Sequence, residues 1–208
     1  MILLPLFFLL SDDSLLGIFC DMGFDETIIH CSAPSLCGIK PASLFSMNSE
    51  CYKSGKGKLL EWAAIFAKSK RYFVPLKKSE KRVLFFVFDR ILLESVCSNL
   101  RNLSYLESKG YPTENGFNAI LSELLHRLMF SEDFPHEVGI FLGYPLEDVV
   151  GFEADSSKFK YSGFWKVYGD TEAAERQMRL YKSCTEQCMD FFEDGHSLLS
   201  SINKYSKK

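Results

Sequence analysis

The run of apolar residues from Val83 to Phe88 is the feature that most constrains the fold of this chain. Side chains in a strand point alternately to the two faces of a sheet, so an unbroken apolar run predicts a strand that is buried on both faces. Asp89 follows the run and is suited to cap the N-terminus of a helix. With 208 residues, of which 47% are hydrophobic, the chain can bury a substantial core within one domain.

Further strand and helix patterns alternate along the chain. Short apolar or β-branched runs between turn residues predict strands at Thr27–Cys31, Ala42–Met47, Val138–Leu142 and Ser162–Asp170. Apolar residues at a period of 3.6 predict helices over Lys58–Lys70, Asp89–Leu103, Thr113–Leu128 and Leu146–Phe152, and a long one from Thr171.

This alternation predicts an α/β fold of the mixed α+β kind, in one compact domain over residues 22–208. We expect a central mixed sheet of about four to five strands, flanked by helices and built around Val83–Phe88 and Val138–Leu142. A long C-terminal helix completes the expected architecture.

The charge balance argues against a nucleic-acid or anionic membrane partner. The net charge is −3 and the isoelectric point is near 5.9, so the chain as a whole does not attract polyanions. The local basic stretch from Lys68 to Arg82 predicts a solvated loop between a helix and the next strand, with a docking patch as the alternative. Seven cysteines, an odd number at scattered spacings, indicate a reducing cytoplasm rather than a secreted disulfide framework.

The first 21 residues form an apolar N-terminal extension. The run Met1–Leu10 is too short to span a bilayer, and it lacks the basic start and the cleavage site of a signal peptide. Three interpretations stay open: a native start at Met22, a segment packed on the domain, and export or anchoring. We expect a chain that begins at Met22 to fold.

Three long blocks of the sequence resemble one bacterial family in their order and in their residues. The blocks are His30–Phe45, Phe134–Phe152 and Gly163–Asp170. They resemble the "domain of unknown function 3793" family over roughly Thr27 to Cys188. The resemblance implies a cytoplasmic protein, found mainly in anaerobic bacteria, and it brings no established activity. The family usually has a small residue at the position that Cys37 occupies here.

Three residues are candidates for catalysis: Cys31, His136 and Glu137. A thiol near an imidazole or an ammonium can become a nucleophile, and Cys31 has Lys40 nearby; the alternative is a small buried hydrophobe. His136 and Glu137 together could supply a metal ligand and a general base, a polar ligand contact, or a structural hydrogen bond. Because no third protein ligand can be named beside them, we predict no metal site.

Four residues are candidates for ligand binding: Lys40, Tyr144, Lys166 and Tyr168. In a strand, Lys166 and Tyr168 share a face and could hold a carboxylate or a planar ring; a sheet surface covered by a helix is the alternative.

Two further pairs have plain structural explanations. Glu147 and Asp148 lie in the first turn of a helix, where acids are favoured by the helix dipole. Cys184 and Cys188 are spaced i, i+4 on the apolar stripe of the last helix, which predicts core packing. A four-thiolate site with Cys31 and Cys37 is the alternative, although the spacings are not those of common zinc or iron–sulfur motifs.

Two classes of function therefore remain open. The first is a small-molecule or cofactor-binding domain, in which the candidate residues converge on one site that could also be catalytic. The second is a non-catalytic protein-interaction or regulatory module. A concave pocket lined by residues of at least two of the three blocks would favour the first class. The cofactor, the ligand and the oligomeric state are not predicted.

Overall fold

The computed structural model of the chain describes residues 22–131 and 133–207, and the predictions made for residues 1–21 lie outside that part. Five strands are present there: β1 (Ala42–Asn48), β2 (Arg71–Lys78), β3 (Arg82–Asp89), β4 (Tyr161–Ser162) and β5 (Lys166–Val167). The helices are α1 (Phe24–Leu36), α2 (Ser49–Ala67), α3 (Arg90–Ser98), α4 (Leu100–Ser108), α5 (Phe117–Phe130), α6 (Val138–Phe141), α7 (Leu146–Ala154), α8 (Thr171–Glu193) and α9 (Leu198–Tyr205).

The main sheet has the strand order β1-β3-β2, and both pairings are antiparallel. β3 is the central strand, and its buried position confirms the prediction from its apolar run. Phe45 of β1 lies opposite Phe85 of β3, with the ring centroids 5.5 Å apart. The expected central mixed sheet of about four to five strands is not confirmed: within the described residues the main sheet has three antiparallel strands, and β4 and β5 form a separate hairpin.

The sheet separates two hydrophobic cores, because neighbouring residues of β3 point to opposite faces. Phe85 and Val87 pack on one side with α1, α2, α8 and α9. Phe86 and Phe88 pack on the other side with α3 to α7. The mixed α+β class and the long helix from Thr171 are confirmed, and each face of the sheet is covered by helices.

The segment Thr27–Cys31 is helical, so the strand predicted there is wrong. It belongs to α1, which begins after Gly23; the Gly23 amide donates to the Glu26 carboxylate at 3.2 Å. The fully buried residues of α1 recur at helical spacing: Ile28, Ile29, Ser32, Ala33, Ser35 and Leu36. This stripe continues past Cys31, so a window that ends at Cys31 contains too little of it to show the helical period.

The segment Val138–Leu142 is buried as predicted, but it is a short helix rather than a strand. A five-residue apolar run does not distinguish a buried strand from a buried turn of helix. Here the turn starts at Pro135, whose carbonyl accepts from the Val138 amide at 3.1 Å. Local helical hydrogen bonding therefore satisfies the backbone of this segment without a neighbouring strand.

The basic stretch from Lys68 to Arg82 is not a loop, because it contains the edge strand β2. Its Arg71 side chain is buried and pairs with Asp89 at 3.2 Å. Asp89 also caps α3 as predicted, by accepting from the amides of Ile91 and Leu92. That helix is shorter than predicted: a new cap at Asn99 separates α3 from α4.

The β4–β5 hairpin packs against the first half of α8 and forms a third, smaller core. Trp165 and Val167 of the hairpin are buried there with Ala174, Met178 and Tyr181 of the helix. This arrangement places the hairpin beside α7, where the candidate site lies. In the described part of the chain, every helix is too short or too polar to cross a bilayer.

Candidate functional site

The Asp148 carboxylate fixes the hairpin to the start of α7. One of its oxygens accepts from the Tyr168 amide at 2.7 Å and from the Gly169 amide at 2.8 Å. The other oxygen accepts from the Trp165 indole N–H at 2.7 Å. Asp148 is only 3% exposed, so these three donors, together with the N-terminal dipole of α7, stabilise a buried negative charge.

The Trp165 indole, which donates to Asp148, forms one wall of a pocket. Trp165 stacks on Tyr144, with ring centroids 4.7 Å apart and planes inclined by 19°. Gly143 sets the position of Tyr144: its φ is +80°, and a Cβ there would lie 2.8 Å from the Pro41 ring. Only glycine therefore fits this turn without strain.

We call this cavity the aromatic pocket; it has a volume of about 70 Å³ and is partly open to solvent. Its walls come from the second and third sequence blocks and are mostly apolar or aromatic. The lining residues are Phe134, His136, Val138, Gly139, Tyr144, Asp148, Val149, Phe152, Trp165 and Lys166. The structure thus brings three of the predicted site residues, His136, Tyr144 and Lys166, to one concave site.

Lys166 supplies the positive charge of the aromatic pocket. Its ammonium donates to the Ser156 carbonyl at 2.7 Å and lies 5.6 Å and 5.0 Å from the ring centroids of Phe152 and Phe159. Among the described residues, Lys166 has no carboxylate within ion-pair distance, so its charge is available to a ligand. The lining also includes His136, whose ring packs edge-on against Phe152 with the ring centroids 5.1 Å apart.

Glu137 does not line the aromatic pocket, although it follows His136 directly. Its buried carboxylate accepts from Arg127 at 2.9 Å and from the Tyr111 hydroxyl at 3.1 Å. Burial, followed by the charge of Glu137, raises the pKa of the Tyr111 hydroxyl well above its usual range. Glu137 therefore forms a buried ion pair between α5 and α6, which matches the structural alternative for this residue.

Lys40 lies beside Tyr144, in a half-buried position next to the aromatic pocket. Its ammonium is 5.7 Å from the Tyr144 ring centroid and 5.5 Å from that of Tyr181. Burial lowers the pKa of Lys40 to about 8. Burial also raises the pKa of the neighbouring Cys31 to about 12, although the charge of Lys40 acts in the opposite direction. Cys31 is therefore a protonated thiol at neutral pH, which weakens its case as a nucleophile.

Tyr168 supports the site through its backbone and its ring. Its amide is bound to Asp148, and its ring packs against Gly151 of α7, where a Cβ would lie 2.5 Å from the ring. The buried Tyr168 hydroxyl has no hydrogen-bond partner among the described residues. Tyr168 does not line the aromatic pocket.

A second concave region, a groove of about 530 Å³, runs along α8. One wall is a single face of that helix, and the other includes His30 of α1 and Phe164 of the hairpin. The helix wall is dominated by charged residues: Glu175, Arg179, Lys182, Glu186, Asp190 and Glu193. Mixed charges at helical spacing are typical of a solvated helix face, so the groove is a weaker candidate than the aromatic pocket.

The pattern of blocks corresponds to a known family. A family model described as "Protein of unknown function (DUF3793)" matches residues 28–202. The chain belongs to this DUF3793 family. The matched range contains both walls of the aromatic pocket, together with α1 and Lys40. The comparisons with curated proteins and with solved structures found no match.

Two residues of the candidate site in this DUF3793 chain are not among the candidates that the sequence provides. At the level of sequence the helix dipole alone explains Asp148, and no site role is predicted for Trp165. A signal was present, because a buried indole N–H usually requires an acceptor and Asp148 lies next to the apolar Val149. Nothing in the sequence, however, indicates that residues 17 positions apart form this pair.

Replacement of Asp148 tests the role of its carboxylate. In Asp148→Asn, the new side-chain N–H₂ must face either the indole N–H or the two backbone amides. Because an N–H₂ group cannot accept a hydrogen bond, the N–H groups that it faces lose their acceptor. We expect the free energy of unfolding in urea to fall by about 2 to 3 kcal/mol and the Trp165 fluorescence to change. Asp155→Asn is the matched control: its half-buried side chain accepts from Ser157, as an asparagine can, and the ion pair with Lys158 that it loses lies at the surface and contributes little to stability. Equal stability of the two variants would contradict this role.

The pKa of Lys40 predicts a titration that NMR can detect. In protein with ¹³C-labelled lysine, one ¹³Cε resonance should titrate near pH 8, and this resonance should be missing from Lys40→Arg. Because the folded-state pKa lies below the ordinary value of 10.5, the unfolded chain binds more protons between the two values. The stability of the wild type relative to Lys40→Met should therefore rise with pH over that window. Titration of the assigned resonance above pH 10 would contradict the burial argument.

Proposed function

We propose that the protein binds a small molecule in the aromatic pocket, with an acidic group of that molecule at Lys166. One observation carries the proposal: residues of two sequence blocks line one concave cavity, and they include three of the side chains selected for ligand binding or catalysis. A mostly apolar cavity with a few polar groups at fixed positions is typical of small-molecule sites.

The size of the aromatic pocket limits what can enter it. Its volume of about 70 Å³ is roughly half that of a cavity of about 150 Å³ that holds benzene. A whole dinucleotide or flavin does not fit inside it. The pocket suits the apolar or planar end of a small molecule, whose polar end stays at the open side.

The charges around the pocket indicate the polar end of the ligand. The Asp148 carboxylate accepts hydrogen bonds from three N–H donors, while the hydrogen-bond partner of the Lys166 ammonium among the described residues is a backbone carbonyl. A carboxylate on the ligand would gain a charge-assisted hydrogen bond from Lys166. Small aromatic or branched aliphatic carboxylates therefore match the site best.

The proposal is a binding function without an assigned reaction. Cys31 is protonated, and Glu137 is held in an ion pair away from the pocket. His136 is the predicted catalytic residue that lines the pocket, and it would contact the bound molecule directly. A cytoplasmic location, expected from the cysteine pattern, belongs to the same proposal.

Calorimetric titration with matched compounds tests the proposal. Aromatic and branched aliphatic carboxylates should bind the wild-type protein more tightly than the corresponding neutral amides. In Lys166→Met, affinity for the carboxylates should fall about tenfold, because a hydrogen bond to a charged group contributes about 1.5 kcal/mol or more. The preference for carboxylate over amide should also disappear.

Lys160→Met is the matched control for this variant. Lys160 lies just before the same hairpin and also donates to a backbone carbonyl, that of Gly169 at 3.0 Å, but it does not line the pocket. Its replacement should leave the affinities unchanged. Equal losses in both variants, or no binding of any of these compounds, would overturn the proposal and favour the interaction-module alternative.

A further inference from the structure

Three buried thiols meet where α1, α8 and α9 come together. Cys37 directly follows α1, and Cys184 and Cys188 lie one turn apart on α8. All three side chains are at most 4% exposed. Their sulfur atoms lie within 4.8 Å of one another, and those of Cys37 and Cys188 are 3.7 Å apart. We call this group the three-thiol cluster; Cys31 is not part of it.

The spacing of the sulfur atoms matches that of ligands around one metal ion. A zinc–sulfur bond length of about 2.3 Å places two coordinated sulfurs about 3.8 Å apart in tetrahedral geometry and about 4.0 Å apart in trigonal geometry. The 3.7 Å separation of Cys37 and Cys188 is close to both values. The outer limit of 4.8 Å requires an inward movement of less than about 1 Å.

The surroundings of the three-thiol cluster favour a soft metal ion. The polar contacts of these thiols within the described residues are with one another and with the backbone carbonyls of Ser201 and Ile202, at 3.7 Å. Sulfur donors without a nearby imidazole or carboxylate select thiophilic ions such as Zn²⁺. The backbone amide of Lys207 donates to the Cys37 carbonyl at 2.9 Å, which brings a cationic residue beside the cluster.

Charge balance supports a divalent ion. Three thiolates around Zn²⁺ carry a net charge of −1, and burial of that charge requires a positive partner. Lys207, whose backbone amide donates to the Cys37 carbonyl, is the cationic residue placed beside the cluster.

We propose that Cys37, Cys184 and Cys188 supply three thiolate ligands to a zinc ion, which links the end of α1 to α8 and α9. The sequence favoured core packing for the two helix cysteines, because their spacing to Cys37 matches no common motif. Packing alone does not require three thiols in contact. Cys97 shows the difference: it is buried in the other core as a single small apolar residue.

Cobalt titration of the reduced full chain tests the site. One equivalent of Co²⁺ should produce thiolate-to-cobalt charge-transfer bands in the near ultraviolet, and Zn²⁺ should displace the cobalt and abolish the bands. Zinc should also raise the thermal midpoint, because a ligand that binds only the folded state stabilises it. The absence of the bands, together with an unchanged thermal midpoint, would overturn the proposal.

Cysteine variants locate the site. Cys188→Ser should weaken cobalt binding by about 100-fold or more, since even the loss of a second-shell partner costs about 10- to 100-fold. Cys97→Ser, a buried cysteine outside the cluster, should bind cobalt like the wild type. Far-ultraviolet circular dichroism checks that each variant is folded, and Cys184→Ala provides a second cluster variant if Cys188→Ser is not. Tight binding retained in a folded cluster variant would contradict the assignment.

Discussion

The Asp148 carboxylate is the interaction on which the candidate site depends. It is almost fully buried, and it accepts hydrogen bonds from three N–H groups of a hairpin that begins more than ten residues later in the chain. Without these donors, a buried carboxylate would be strongly unfavourable, and without the carboxylate, the indole and two amides would lose their acceptor. The hairpin and α7 are therefore mutually dependent. The Trp165–Tyr144 stack, and with it the aromatic pocket, follows from that link.

Helix α8 connects the two sites that we propose. Its buried stripe consists of Ala174, Met178, Tyr181, Cys184 and Cys188. The first three residues pack under the hairpin, where Tyr181 lies near Lys40. The last two belong to the three-thiol cluster at the other end of the stripe. One helix thus supports the wall of the aromatic pocket and carries two of the three thiols of the proposed zinc site.

The sequence predicted those elements whose pattern is long and locally complete. The pattern that predicts each of three features lies within the segment itself: the apolar run of β3, the cap at Asp89 and the apolar stripe of α8. All three predictions are confirmed. The wrong predictions concern short segments. The five-residue runs Thr27–Cys31 and Val138–Leu142 predict strands, but the structure has a helix at each. A window of five residues does not distinguish a strand from a turn of helix, and tertiary packing determines which of the two forms.

The arrangement of the candidate residues depends on the fold for a related reason. The structure places three of the residues selected from the blocks, His136, Tyr144 and Lys166, on the lining of one pocket. The block patterns did not show that Glu137 turns toward Arg127, because that ion pair depends on how α5 meets α6. They also did not show that Cys37 meets Cys184 and Cys188, which are about 150 residues away in sequence. Long-range contacts of this kind are determined by the fold as a whole.

Nuclear magnetic resonance of the tryptophan indole groups tests the central claim most directly. The chain has two tryptophans: Trp165 in the wall of the aromatic pocket, and Trp62, which stacks on Phe24 in the core on one side of the main sheet. In a ¹⁵N-labelled sample titrated with small aromatic carboxylates, the Trp165 indole resonance should shift saturably while that of Trp62 stays fixed. A compound that binds the folded protein and leaves the Trp165 resonance unmoved would show that the aromatic pocket is not the ligand site.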